Sequence, residues 1–145
     1  MNNKTEILRE KLRQALSSTA RVISDDLSID PKKNIKNSDK QDLIVVENLN
    51  SKNDFVKARA ETDSKALKKK FSDESIFKKN LPSSSPYKSL YTITEKIRYE
   101  KLGSKMLKGI DKNLRDNYIQ IINNKRKDQI KSKDDVPVIE AFELY

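Results

Sequence analysis

From Thr5 to Ile23, apolar or small side chains return every three or four residues, at Ile7, Leu8, Leu12, Ala15, Leu16, Thr19, Ala20 and Ile23. This spacing predicts an amphipathic helix over 5–23, with Lys4, Arg9, Glu10, Lys11, Arg13 and Arg21 mostly on the opposite side. Thr5 can cap it, and Ser24, Asp25 and Asp26 supply a stop, since short polar side chains compete with the helix for backbone hydrogen bonds. Such a pattern reads first as a surface helix with one core face and, more sharply, as a helix offered to a partner.

The period then changes. Leu27–Asp30 and Asp42–Glu47, the latter holding the β-branched run Leu43-Ile44-Val45-Val46, are the only strand candidates, and PKKNIKNSDKQ between them is turn-forming and lysine-rich. A small two-stranded ribbon is expected over 27–47. Ser51 and Asp54, three residues apart, open a second helix with Phe55, Ala58, Thr62, Ala66, Leu67 and Phe71 on its core side. Lys68, Lys69 and Lys70 near its end are ordinary helix chemistry. Ser72-Asp73-Glu74 starts a short third helix with Ile76, Phe77 and Leu81 as apolar contacts. The tract Pro82–Pro86 is a hinge rather than a domain linker, because it is so brief.

A fourth helix begins with Ser85 as cap and Pro86 in its first turn, and carries Tyr87, Leu90, Tyr91, Ile93, Thr94, Ile97 and Leu102 on its core face. Gly103 is expected to kink the chain or turn a corner, with Ser104 recapping a stripe of Leu107, Ile110, Leu114, Tyr118, Ile121 and Ile122. Residues 123–134 read as a charged linker. Asp135-Val136-Pro137 starts another helix, with Val138, Ile139, Phe142 and Leu144 as its stripe. A helix this short cannot stabilise itself, so 135–145 reads as the start of a truncated helix and the chain as an N-terminal fragment. The expected class is mainly α, with one multi-helix domain over 1–122.

Composition fits that class. Ile, Leu, Val and Phe make up about a quarter of 145 residues, enough for a modest core. With 37% of residues charged, a net charge of +9 and only two glycines and four prolines, amphipathic helices are favoured over a many-turned β fold. The chain has no cysteine and no histidine, which excludes disulfide frameworks, zinc ribbons, Ser-His or Cys-His nucleophiles and imidazole ligation within it. There is no apolar run of about twenty residues and no apolar signal core at the N-terminus, so a soluble, cytoplasmic protein is expected.

Little chemistry remains. Gly103 and Gly109 stand apart, so there is no Walker-type phosphate loop. Asp26, Ser28 and Asp30 have the alternate spacing of a hard-cation loop, but helix-end turn residues explain them as well. Asp25-Asp26 and Asp134-Asp135 are helix punctuation rather than an acid-base pair. Lys68–Lys70, Lys78-Lys79 and Lys125–Lys127 could approach phosphates, with Tyr87, Tyr91, Tyr99 and Tyr118 to stack on bases. A small basic helical nucleic-acid-binding protein is therefore the alternative function. Lysine in excess of arginine, and tyrosines at core spacing, favour solubility or an acidic protein partner.

Two segments together, DFVKARAETDSKALKKKFSD at 54–73 and YTITEKIRYEKLGSKMLKGIDKNL at 91–114, resemble the N-terminal region of the CobT-type subunit of the aerobic, ATP-dependent cobaltochelatase. The resemblance starts at LRQALSSTARVISDD and covers most of the chain. Its most telling positions are Arg59, Asp63, Ala66 and Leu67, then Glu95, Arg98, Glu100, Gly103, Ser104, Met106, Gly109, Asn113 and Leu114. Arg59, Asp63, Glu95, Arg98, Glu100, Gly103, Ser104 and Asn113 are the candidate pattern or interface residues.

The resemblance implies a subunit of the machine that inserts Co²⁺ into hydrogenobyrinic acid a,c-diamide during cobalamin biosynthesis. It implies an AAA+ ATPase subunit and a large tetrapyrrole-binding subunit as partners, with ATP, Mg²⁺ and Co²⁺ handled by the complex. The chain itself is then a scaffold without catalytic, cofactor or metal residues of its own, and no membrane partner is expected. The family's C-terminal integrin I (von Willebrand A) domain, with its metal site, has no counterpart in these residues. Whether the complex acts on a corrin or another tetrapyrrole is left open by the residues alone.

Overall fold

The computed structural model describes residues 2–29, 49–128, 139, 141 and 142. The described residues hold five helices, α1 (Asn2–Ser24), α2 (Lys52–Phe71), α3 (Glu74–Asn80), α4 (Ser85–Met106) and α5 (Lys108–Asp128), and no strand. Residues 139, 141 and 142 are also helical, with Ile139 and Phe142 exposed. The chain divides into two compact units, Met1–Lys70 and Phe71–Tyr145.

In the first unit the expected α1 forms, but its buried side is rotated. Leu16, Ser17, Ala20, Ile23 and Ser24 are buried, whereas Ile7 and Leu8 are about half exposed and Ala15 and Thr19 face outward. The inward stripe steps from Arg13 through Leu16 and Ser17 to Ala20, Ile23 and Ser24, and at Ser24 the helix satisfies the hydroxyl locally. Ser24 Oγ donates to the Ala20 carbonyl at 2.7 Å. α1 stops where expected: Asp25 takes a left-handed φ of 55°, and the Asp26 N–H reaches back to the Arg21 carbonyl at 3.2 Å.

Leu27–Ile29, the described part of the first strand candidate, form a turn instead. The Ser28 N–H donates to Asp26 Oδ1 at 2.8 Å, and Arg21 Nε donates to the Ile29 carbonyl at 2.6 Å. These local bonds use backbone groups that a ladder would need. The rest of the ribbon, residues 30–48, lies outside the described residues.

α2 starts with the expected reciprocal cap. The Asp54 N–H donates to Ser51 Oγ at 3.2 Å, while Asp54 Oδ2 accepts the N–H groups of Asn50 and Ser51, each at 3.0 Å. Ala58, Thr62, Ala66 and Leu67 are buried as the spacing requires, and Ala60 and Asp63 join them; Phe55 is 38% exposed. At the other end Lys69 and Lys70 pair with Asp26 and Asp25, tying the C-terminal end of α2 to the turn that ends α1.

In the second unit Asp73 caps α3, accepting the N–H groups of Ser75 at 2.8 Å and Ile76 at 3.0 Å. Phe77 stacks on Tyr91 of α4 with ring centroids 5.2 Å apart, while Ile76 is exposed. Ser84, not Ser85, is the cap position of α4, since Ser85 already opens the helix one residue before Pro86. α4 packs along α5. Its fully buried residues are Tyr99, Glu100 and Gly103, whereas Tyr87, Thr94, Ile97 and Leu102 of the expected face are exposed.

The corner is also displaced. α4 runs through Gly103 and Ser104 to Met106, and the break comes at Leu107, whose backbone is extended. The Leu107 N–H still reaches the Gly103 carbonyl at 3.0 Å, so Gly103 is a buried residue inside α4 and not the turn itself. The Leu107 carbonyl accepts the Ile110 N–H at 3.0 Å, so Leu107 rather than Ser104 leads into α5. Ile110 and Leu114 are buried, and α5 continues to Asp128, so 123–128 is helix rather than linker. Residues 129–138 lie outside the described residues.

Candidate functional site

The residues carrying the pattern do not gather in one place. In the first unit Arg59 is exposed on α2 with its guanidinium 5.7 Å from the centre of the Phe55 ring, a cation-π contact one turn apart. Asp63 is buried among the small residues of the same helix and is not free.

In the second unit Glu95 and Arg98, three residues apart on α4, form a two-toothed ion pair: Arg98 Nε donates to Glu95 Oε2 at 2.7 Å and Nη2 to Oε1 at 2.8 Å. Two further bonds fix the pair to the chain preceding α3. Ser72 Oγ donates to Glu95 Oε1 at 2.5 Å, and Arg98 Nη2 donates to the carbonyl of Phe71 at 2.6 Å. Phe71 is the last residue of α2, where carbonyls lack intrahelical donors, so the guanidinium also completes a helix end. Glu95, through hydrogen bonding and charge, raises the Arg98 pKa above its ordinary value. The guanidinium therefore stays charged and has no proton to exchange.

Two residues beyond Arg98, the buried Glu100 accepts a hydrogen bond from the Tyr118 hydroxyl of α5 at 2.9 Å. The Lys96 ammonium lies 5.3 Å from the centre of the Tyr118 ring. Burial first, and then the Glu100 charge, push the Tyr118 phenol up to about 12, so it acts as a neutral donor. Gly103 is buried, Ser104 half-buried, and Asn113 half-buried on α5 with its polar group engaged.

Thus Glu95, Arg98 and Glu100 belong to polar clamps that hold helices, while Gly103 lies in the packed part of α4. The other members of the clamps, Ser72, the Phe71 carbonyl and Tyr118, are absent from the pattern. Glu95 and Arg98 announce themselves by their spacing, but their distant partners depend on the chain path, which no local signal carries.

Of the cation-loop residues, Asp30 lies outside the described residues, and Asp26 is already engaged. Asp26 Oδ1 takes the Ser28 N–H and Oδ2 takes the Lys69 ammonium, so its carboxylate is already occupied and its pKa is held well below the usual range, chiefly by Lys69. It does not fit a metal ligand. No group of three or more acidic residues suited to a metal ion occurs among the described residues, and no helix there is long and apolar enough to cross a membrane.

No curated protein and no solved structure matches the chain. The family described as "Cobalamin biosynthesis protein CobT" matches residues 8–145. That match takes in most of α1, all of α2 to α5 and every clamp described above, and the chain belongs to the CobT family of cobalamin biosynthesis proteins.

Proposed function

We propose that this chain is a non-catalytic scaffold of a cobaltochelatase-type complex, supporting ATP-dependent insertion of Co²⁺ into hydrogenobyrinic acid a,c-diamide. The observation that carries the reading is the family match over residues 8–145. The use made of the pattern's ionisable residues supports it. Glu95 and Arg98 are spent on each other, on Ser72 and on the end of α2, and Glu100 holds Tyr118. Groups spent in this way set the relative positions of helices, which suits a part that presents a fixed surface to other subunits. The partners proposed are an AAA+ ATPase subunit and a large tetrapyrrole-binding subunit, which handle ATP, Mg²⁺ and the metal substrate. Membership of a nitrogen-metal ligase complex and residence in the cytoplasm belong to the same proposal.

Copurification tests it. The chain should retain the ATPase subunit on an affinity column and restore metal insertion to an extract lacking the protein. A chain that binds neither subunit and restores no chelation would overturn the reading.

A further inference from the structure

Among the described residues, the turn between α4 and α5 is one part of the second unit whose side chains the fold leaves unused. Leu102 and Met106, one turn apart on α4, and Leu107 at the corner are 39%, 42% and 45% exposed. Single exposed aliphatics need no explanation, but these three fall within six residues and continue one another around the bend. Lysines flank them: Lys101 and Lys105 on α4, Lys108 and Lys112 on α5, all exposed. None of the four has a carboxylate partner among the described residues.

Helix chemistry accounts for only part of that charge. Lys105 lies in the last turn of α4, where cations are favoured. Lys108 is the first residue of α5, at the end where a cation is disfavoured, so its own helix gives no reason for it. Gly109 beside it is equally unexplained from within. It sits in the first turn of α5 without a positive φ, and a Cβ built there would meet nothing within 4 Å. A glycine in that setting costs its helix stability relative to alanine and gains nothing from the fold.

We propose that this corner is a docking surface for an acidic, amphipathic segment of a partner subunit. The partner's carboxylates meet the four lysines, its apolar side chains cover Leu102, Met106 and Leu107, and its backbone passes over Gly109, where the missing Cβ permits close approach. Charge complementarity selects this occupant. A second copy would set lysines against lysines across a two-fold axis. Bases would find no exposed ring at the corner to stack on, because Tyr99 is buried and Tyr118 is engaged with Glu100. Three aliphatics at a bend are too short a face for a helix lying in a membrane interface.

The inference rests on the scaffold reading and deepens it. The test measures binding of the full chain to the purified ATPase subunit and to the purified large subunit, with a DNA duplex and phosphatidylglycerol vesicles as further probes. Gly109→Ala should leave Tm unchanged or higher, yet weaken binding to one subunit by about tenfold or more. Lys105→Glu with Lys108→Glu should weaken it by at least as much, and raised salt should weaken the wild type. Lys88→Glu, about 25 Å away along α4, should bind normally. Wild-type binding that both corner variants retain would overturn the docking surface and leave the scaffold reading standing. Binding to neither subunit would overturn both. Corner-dependent binding to DNA or vesicles, with none to a subunit, would replace the acidic segment by phosphate and overturn the proposal.

Discussion

Arg98→Ala removes three bonds at once: two to Glu95 and one to the Phe71 carbonyl. A hydrogen bond to a charged group contributes about 1.5–3 kcal/mol when buried, and an exposed ion pair only about 0.2–1 kcal/mol. The Arg98 side chain is 46% exposed and that of Glu95 18%, so the clamp lies between those limits. Water also re-solvates part of what the substitution uncovers. A total of about 1–2 kcal/mol follows, or a fall in Tm of about 3–8 °C for a domain of this size.

Thermal unfolding followed by far-UV circular dichroism measures the loss, and a double-mutant cycle with Glu95→Gln isolates the pair. The coupling should be about 1 kcal/mol and should shrink in 1 M salt, where screening reaches exposed charges. Arg98→Lys should recover only part of the loss, because an ammonium cannot serve both carboxylate oxygens and the carbonyl in one planar fork. A Tm for Arg98→Ala within about 1 °C of wild type, or strict additivity in the cycle, would refute the claim that the clamp holds α4 to Phe71 and Ser72.

Leu67 is completely buried, so Leu67→Asp should cost about 4 kcal/mol or more by burying an unpaired charge, and unchanged thermal stability would show that α2 is not packed by that residue. In acid, Asp54 and Asp73 have pKa values lowered mainly by the hydrogen bonds they accept at their caps. Their stabilisation is therefore complete above the ordinary carboxylate value and lost as pH falls through the lower folded one; an acid titration of helicity should show this below about pH 4, less steeply in Asp54→Asn and Asp73→Asn. In alkali the sign reverses for Tyr118. Its folded pKa is raised to about 12 from 10.0, so its contribution is complete below the unfolded value and lost as pH rises from one to the other. Chemical denaturation across that interval should show a stability loss that is smaller in Tyr118→Phe.

The helices were legible because each carries its own period, and α2 and α3 carry their own caps as well. Ser51 with Asp54 fixes the start of α2, and Asp73 that of α3, through bonds between near neighbours. Which side of a helix turns inward was less legible. In α1 the apolar stripe from Ile7 to Ile23 is real, but burial follows Ser17 and Ser24 and leaves Ile7 and Leu8 in water. In α4 the large apolar side chains suggest one face, while the packed one is built from Tyr99, Glu100 and Gly103. A buried glutamate is chosen by its distant donor, Tyr118, which periodicity cannot see. Gly103 misled in the same way: a glycine can end a helix, but it can also be buried inside one. The candidate residues were thus readable as a pattern, while their roles as clamps depended on contacts made across the chain.

That dependence bears on the proposal that the second unit serves an assembly. Its fully buried apolar side chains among the described residues are Tyr99, Ile110 and Leu114, each worth about 1.5–3 kcal/mol on burial, against an ordering cost of about 1–2 kcal/mol for every residue fixed. A core that small leaves the Glu95–Arg98 and Glu100–Tyr118 clamps a large share of the specificity of packing. Any partner that covers Leu102, Met106 and Leu107 adds apolar burial the isolated unit lacks, and binding to the folded state alone raises its stability by mass action. Stability and assembly are then coupled: a partner docked at the corner should raise the Tm of the chain, and it should raise that of Arg98→Ala by about as much, leaving the difference between them unchanged.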